Sequence, residues 1–216
     1  MAKTVTAAEM KERERAANEA GLLYIQMMEN AGRAAYAELK RRVPALRRLL
    51  IVAGKGNNGG DGFVMARVAA KEGVQVRVLL AEGEPKTADA KTNLARLAET
   101  AAEIVRDTEQ AAFGADAVVD ALYGTGFHGE LRLGGAAACA LMGRERERGA
   151  FVLALDLPSG VSADSGEVAA GAVQADATVT FDCTKPLHFA KASKPLCGAL
   201  VCADIGIGKA LGEHET

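Results

Sequence analysis

The chain has 216 residues, of which 49% are hydrophobic and 25% charged, and this composition excludes disordered, collagenous and low-complexity proteins. A formal net charge of −2 and the lack of a long uncharged apolar run predict neither nucleic acid nor a membrane as a partner. The length favours one domain over residues 1–216, and an N-terminus without the apolar core of a signal peptide predicts a cytoplasmic protein.

Two helices are predicted at the N-terminus. Thr6 and Glu9 fit a capping box, so the first helix is expected over Ala7–Glu19. Gly21 interrupts the pattern, and a second, longer helix is expected over Leu22–Arg42. Together the two helices would form a helical N-terminal arm.

From residue 49 onward, apolar strands alternate with helices. Strands are predicted over Leu49–Ala53, Val74–Leu80, Ala117–Leu122, Phe151–Leu155, Ala177–Phe181 and Ala199–Asp204, and helices over Val64–Lys71, Ala88–Glu99 and Ala136–Arg148. Because the strands are continuous apolar runs, the sheet should be covered on both faces. The prediction is a Rossmann-like three-layer αβα sandwich with a mostly parallel central sheet, followed by a disordered tail over residues 210–216.

Three polar, glycine-containing clusters follow predicted strands, at residues 54–62, 120–129 and 156–160. The carboxyl ends of parallel strands share one edge of a sheet, so the clusters should meet there. In the first cluster, the side-chain oxygens of Asn57, Asn58 and Asp61 suit a sugar hydroxyl or a hard cation. Asx turns and a helix N-cap are the alternative.

The first cluster also satisfies the dinucleotide fingerprint GxGxxG through Gly54, Gly56 and Gly59, with Glu82 as a candidate ribose-binding acid. Asp61 argues against that interpretation, because its charge would fall in the first helical turn, where such folds bind pyrophosphate. A nicotinamide-dependent dehydrogenase is therefore disfavoured.

Two aspartates, Asp120 and Asp156, end apolar strands, where a carboxylate is costly to bury unless it is paired, hydrogen-bonded or bound to a cation. Capping of the following turn is the alternative for each. Ser159 adds a hydroxyl beside Asp156. Lys185 follows a predicted strand and either points into the same cleft or is a solvated surface lysine.

Six motifs in this order resemble the YjeF N-terminal domain family, the NAD(P)H-hydrate epimerases, over residues 6–207. They are MENAGR at 28–33, NNGGDG at 57–62, DALYGTG at 120–126, DLPSG at 156–160, TFDCTK at 180–185 and ADIGI at 203–207. The resemblance implies epimerisation of the R and S forms of hydrated NADH and NADPH in nicotinamide nucleotide repair. It also implies a homodimer, and a separate dehydratase, since the chain is too short to hold one.

The resemblance also implies site residues. Substrate-binding groups are expected at Asn57, Asn58, Gly59, Gly60, Asp61, Gly124, Thr125, Gly126, Phe127, His128, Gly129, Glu130 and Asp156. A potassium ion is expected on Asn58, Asp120 and Ser159. We take Asp156 as the first choice for the catalytic acid or base, with Lys185 as its partner or electrostatic anchor. Tyr123 stands where the family usually has Phe.

One further alternative has the same fold, namely a non-catalytic dinucleotide-binding or dimerising scaffold. The joint presence of Asn58, Asp61, Asp120, Asp156 and Ser159 favours the enzyme. For the homodimer, an apolar stripe at the start of the second helix, formed by Leu22, Ile25 and Met28, is the candidate interface. Packing of that stripe within its own fold is the alternative.

Overall fold

A computed structural model describes residues 3–213. The helices are α1 (Ala7–Glu19), α2 (Tyr24–Arg42), α3 (Asn57–Lys71), α4 (Ala88–Leu97), α5 (Thr108–Ala111), α6 (Leu133–Glu147) and α7 (Ile207–Ala210). The strands are β1 (Arg48–Ala53), β2 (Gln75–Leu80), β3 (Glu103–Val105), β4 (Ala117–Ala121), β5 (Phe151–Leu155), β6 (Ala177–Phe181) and β7 (Ala199–Ala203). Within residues 3–213, no helix has the length and apolarity needed to cross a bilayer.

All seven strands form one parallel sheet in the order β3-β2-β1-β4-β5-β6-β7. The chain builds outward from β1 to β3 and then returns to place β4 beside β1. This reversal of strand order opens a crevice at the carboxyl ends of β1 and β4, where ligands bind in folds of this type. The predicted Rossmann-like α/β fold is confirmed.

Helices cover both faces of the sheet. Alternate residues of β1 point to opposite faces: Leu49 and Ile51 pack in the core beneath α2 and α3, whereas Leu50 and Val52 pack with α6 on the other side. All five residues of β4 are buried. The sandwich therefore has three layers, as predicted.

The predicted bounds of α1, β5 and β6 agree with the structure, and most others differ by one to three residues. At the start of α1, the hydroxyl of Thr6 accepts a hydrogen bond from the backbone N–H of Glu9. The short elements β3, α5 and α7 have no counterpart in the sequence prediction, because segments of three or four residues carry too little periodic pattern to be recognised.

Helix α3 is the main difference from prediction, because it begins at Asn57 and not at Val64. Residues 57–62, expected to be a loop, are its first turns, although glycine disfavours helix. Close packing explains these glycines: a Cβ on Gly59 would lie 2.2 Å from the backbone oxygen of Gly54, and one on Gly62 would lie 2.7 Å from the Cβ of Ala121. The helix start therefore fits closely against the ends of β1 and β4.

The candidate interface stripe on α2 is turned partly inward. Met28 is 5% exposed and its sulfur accepts a hydrogen bond from Asn93 of α4, while Leu22 packs against the core. Met28 and Leu22 therefore pack within their own fold, which was the alternative to a dimer interface. The exposed apolar side chains at this end of α2 are Leu23 and Tyr24.

The structure places the first four residues of the predicted tail. Ala210 ends α7, Leu211 packs against the core, and Glu213 accepts hydrogen bonds from the guanidinium of Arg13. Residues 214–216, which include His214, lie outside the described range.

Gly54 and Gly56 offer a matched test of the close approach between β1 and β4. A Cβ on Gly54 would lie 1.8 Å from the backbone oxygen of Leu122, whereas a Cβ on Gly56 would meet nothing within 4 Å. We expect Gly54→Ala to lower the free energy of unfolding by about 3 kcal/mol and Gly56→Ala by less than about 1 kcal/mol. Urea denaturation measures both, and equal effects would contradict the packing argument.

Candidate functional site

Two adjoining cavities lie at the carboxyl edge of the sheet. The smaller, here called the inner cavity, has a volume of about 130 Å³ and is lined by Met10, Glu14, Asn57, Asn58, Asp61, Gly124, Thr125, Asp156, Phe181 and Lys185. The larger, here called the outer groove, has about 470 Å³ and is lined by residues 55–58 and 122–128 with Glu82, Thr87, Glu130 and Arg132. Three polar clusters predicted from the sequence thus meet at one place.

Asp156 and Lys185 form a buried ion pair in the inner cavity. The Lys185 Nζ lies 2.5 Å from the Asp156 Oδ1 and also donates to the Thr180 hydroxyl at 2.9 Å, which in turn donates to the same carboxylate oxygen at 2.9 Å. Lys185 is 1% exposed, so it is a buried partner of Asp156 and not a surface lysine. Asp156 has a φ of +65°, a left-handed conformation uncommon for aspartate, which the surrounding bonds hold in place.

His188 is hydrogen-bonded to the backbones of both residues of this pair. Its Nδ1 accepts the backbone N–H of Lys185 at 2.9 Å, so its Nε2 carries the proton and donates to the backbone oxygen of Asp156 at 3.0 Å. Burial lowers the pKa of His188, which favours this neutral form. His188 is therefore a positioning residue, and its ring joins the backbones of both members of the ion pair.

Asp120 is fully buried, and among residues 3–213 only neutral groups donate to it. Its carboxylate accepts hydrogen bonds from the Ser159 hydroxyl at 2.6 Å, the Ser159 backbone N–H at 2.7 Å and the Leu122 backbone N–H at 3.2 Å. Burial raises the pKa of Asp120 to about 6, against the opposing effect of these bonds. No cationic side chain in the described part of the chain is hydrogen-bonded to this carboxylate.

Tyr123 links the three residues expected to bind potassium. Its backbone N–H donates to the Ser159 hydroxyl at 2.9 Å, and its backbone oxygen accepts from the Asn58 Nδ2 at 2.9 Å. The Asn58 Oδ1 makes no hydrogen bond to any residue within 3–213. Neutral oxygens beside one buried carboxylate suit a weakly charged hard cation, and no cluster of three acidic, His or Cys residues for a transition metal exists in the described chain.

Two more acids face the inner cavity. Asp61, predicted from the sequence, lies in the second turn of α3, and burial raises its pKa well above the usual value. Glu14 of α1 was missed by the sequence analysis. It recurs at helical spacing with the buried residues Met10 and Ala17, and a charged residue on that apolar face is the signal that could have revealed it.

Most of the other predicted binding residues line the outer groove, namely Gly124, Thr125, Gly126, Phe127, His128 and Glu130. Phe127 stacks on Tyr123 with ring centroids 5.1 Å apart. Gly59 and Gly60 do not line either cavity; they are buried in α3 and permit its close packing. Gly129 lies in the turn beside the groove with a φ of +76°.

Glu82, which follows β2, makes a contact that the sequence did not predict. The Tyr123 hydroxyl donates to Glu82 at 2.7 Å, and a Cβ on Gly135 would lie 2.2 Å from that hydroxyl. Tyr123 and Glu82 thus form one wall of the outer groove, fixed against α6. The candidate ribose-binding acid is therefore already hydrogen-bonded within the protein.

Comparisons with known proteins agree with this architecture. The family model described as YjeF-related protein N-terminus matches residues 24–187. The NAD(P)H-hydrate epimerase of Pirellula staleyi is 40% identical over 207 residues, which cover 90% of this chain and 88% of that protein. The bifunctional NAD(P)H-hydrate repair enzyme Nnr of Coxiella burnetii is 37% identical over 93% of this chain, which spans 41% of that longer protein.

A solved structure shows the same fold. The crystal structure of yeast ynu0 superposes with a TM-score of 0.76, covering 94% of this chain and 88% of that chain, at 20% sequence identity. At this identity the likeness concerns the fold alone.

The support that His188 gives can be measured through stability. We expect His188→Ala to lower the free energy of unfolding by about 2–4 kcal/mol, because a cavity opens and the Lys185 N–H and Asp156 carbonyl lose their partner. The exposed His128→Ala, a matched control, should cost less than about 0.5 kcal/mol. Chemical denaturation compares the two, and similar losses would show that His188 does not support the ion pair.

Proposed function

This chain belongs to the family of YjeF-related protein N-termini, and on that premise we propose that it is an NAD(P)H-hydrate epimerase. It would interconvert the R and S forms of hydrated NADH or NADPH. The observation that carries this proposal is the Asp156–Lys185 pair, a charged acid-base couple buried in a cavity at the point where strand order reverses. A relative of similar length that bears the name NAD(P)H-hydrate epimerase supports it.

The two cavities suit the two ends of a hydrated dinucleotide. The outer groove receives the N-terminus of α3, whose helix dipole favours a negative group, and the cations Lys55 and Arg132 line it. These features fit the phosphates. The inner cavity, at about 130 Å³, takes a single ring and presents Asn57, Asp61 and Asp156 to it.

The chemistry at the ring centres on the carbon that carries the added hydroxyl. Water adds to the enamine of a dihydronicotinamide so that the hydroxyl is attached to the carbon next to the ring nitrogen. When that carbon is inverted by opening of the ring at the carbon–nitrogen bond, the hydroxyl proton is first removed and later returned. Asp156 performs both transfers in this proposal. Lys185 and Thr180 hold its carboxylate in place through the bonds to Oδ1, which leaves Oδ2 to meet the substrate.

Potassium belongs to the same proposal. Asn58, Asp120 and Ser159 would hold the ion, whose charge would balance the buried carboxylate of Asp120 and keep it ionised near neutral pH. The neutral donors around Asp120 and the free amide oxygen of Asn58 support this assignment. The protein's own part is to hold the loop after β4 in place through Tyr123.

The remaining partners are also proposals. A separate dehydratase would remove the water from the epimerised product, as suggested by the longer relatives named bifunctional repair enzymes. A homodimer and a cytoplasmic location follow from the family resemblance and the sequence. The exposed Leu23 and Tyr24 at the start of α2 support a dimer contact near the N-terminal helices.

The proposed activity is tested by adding the protein to one purified epimer of hydrated NADH and following both epimers by chromatography. We expect rapid equilibration, reduced about 100-fold or more in Asp156→Asn, because the amide cannot take up the hydroxyl proton. Asp107→Asn, the same change at an exposed helix cap, should keep full activity. A wild-type rate equal to the spontaneous rate would favour the non-catalytic scaffold, and full activity in Asp156→Asn would remove Asp156 from the mechanism.

The potassium site has a readout independent of activity. At ten times its dissociation constant, potassium should stabilise the fold by about 1.4 kcal/mol, which corresponds to a rise in Tm of roughly 3–6 °C. The comparison is with sodium at equal ionic strength. We expect Asp120→Asn to abolish the difference between the two salts, because the neutral amide no longer attracts the ion. Equal melting temperatures of the wild type in both salts would refute the site.

A further inference from the structure

Glu14 forms part of the wall of the inner cavity. Helix α1 crosses the carboxyl edge of the sheet, and Glu14 lies on its inward face together with Met10. The same side chain also borders two neighbouring spaces of about 70 and 540 Å³. Glu14 therefore borders all three of these spaces.

The carboxyl group of Glu14 has no partner among residues 3–213. The other three glutamates of α1 are engaged at the surface, Glu9 with Thr6, and Glu12 and Glu19 with Arg15. Asp156, which lines the same cavity, is held by Lys185 and Thr180. Of the glutamates on its helix, Glu14 alone has a carboxyl group both directed into the site and free to bind something else.

The surroundings of Glu14 are mostly acidic. Asp61 of α3, Asp89 of α4 and Asp156 share cavities with it, Asp182 lies near, and Tyr24 of α2 contributes a phenol. The nearby cations are Lys11 on its own helix and Lys185, which is committed to Asp156. Burial, followed by the charge of Asp156, raises the pKa of Glu14 to about 7. The group can thus hold or release a proton near neutral pH.

We propose that Glu14 is a catalytic residue that gives a proton to the ring nitrogen of the hydrated nicotinamide while Asp156 takes the proton of the ring hydroxyl. This inference rests on the proposed epimerase function and deepens it. A proton donor and a proton acceptor that line the same small cavity can act on two neighbouring atoms of one bound ring.

The step balances in atoms and electrons. The hydroxyl proton passes to Asp156 and the oxygen forms a double bond to carbon. The carbon–nitrogen bond breaks, its electron pair goes to the nitrogen, and Glu14 supplies the proton there. Rotation about the adjacent carbon–carbon bond presents the other face of the new aldehyde, and both protons return as the ring closes. The starting protonation states are the same for both epimers, with Asp156 ionised and Glu14 protonated.

The test is the pH dependence of kcat/KM for epimerisation between pH 5.5 and 9, after subtraction of the uncatalysed rate. In the wild type, kcat/KM should fall as the pH rises through about 7, because the required acid form of Glu14 is lost. Glu14→Gln should lower kcat/KM at pH 6 about 100-fold and remove that fall. Glu14→Asp should restore part of the rate together with the fall above neutral pH.

Controls separate this role from folding and from other acids. Glu12→Gln makes the same change on the exposed face of α1 and should match the wild type. Glu14→Gln removes a half-buried acid with little change of shape, so its Tm should not drop. If Glu14→Gln keeps the wild-type rate or the wild-type pH profile, or if Asp61→Asn alone removes the fall, the proposal is wrong. If the wild type has no epimerase activity, the proposed function itself is wrong. If the wild type is active and Glu14→Gln has no effect, only the role of Glu14 is wrong.

Discussion

The ion pair between Lys185 and Asp156 is the interaction on which the site depends. Lys185 is 1% exposed, and removing either partner of the pair leaves an uncompensated buried charge that costs about 3–5 kcal/mol. The pair also joins the ends of β5 and β6, since Asp156 ends one strand and Lys185 follows the other. His188 then couples their backbones, so the geometry of the Asp156 carboxylate is set by the segments that follow two neighbouring strands.

Close contact between backbone segments is the second constraint, and it explains why glycine occupies several positions between β1 and α3. The first turns of α3 lie against the ends of β1 and β4, and side chains at Gly54, Gly59 or Gly62 would collide there. The same packing brings Asn58 to the backbone of Tyr123 and so to Ser159 and Asp120. The glycine pattern of residues 54–59 resembles a dinucleotide-binding loop. In this structure it allows α3, with the side chain of Asn58, to lie against the ends of β1 and β4.

The site carries more acids than bases. Glu14, Asp61 and Asp156 line the inner cavity together with Lys185, and Asp120 is buried at the end of β4. Lys185 pairs with Asp156 alone among these acids. Burial raises the pKa values of three of these acids, and their mutual repulsion contributes for Glu14 and Asp61. Such a set can hold protons at neutral pH, which suits proton transfer.

The sequence by itself determined the alternation of strands and helices, the parallel sheet, the family and most of the polar residues of the site. These features depend on local periodicity and on short motifs, which can be recognised in the sequence without the fold. Tertiary structure decided the rest. Helix α3 begins at Asn57 because packing against β1 and β4 outweighs the poor helix propensity of its glycines. Glu14 reaches the cavity only because α1 crosses the sheet edge, and the protonated nitrogen of His188 is set by contacts with residues on two different loops.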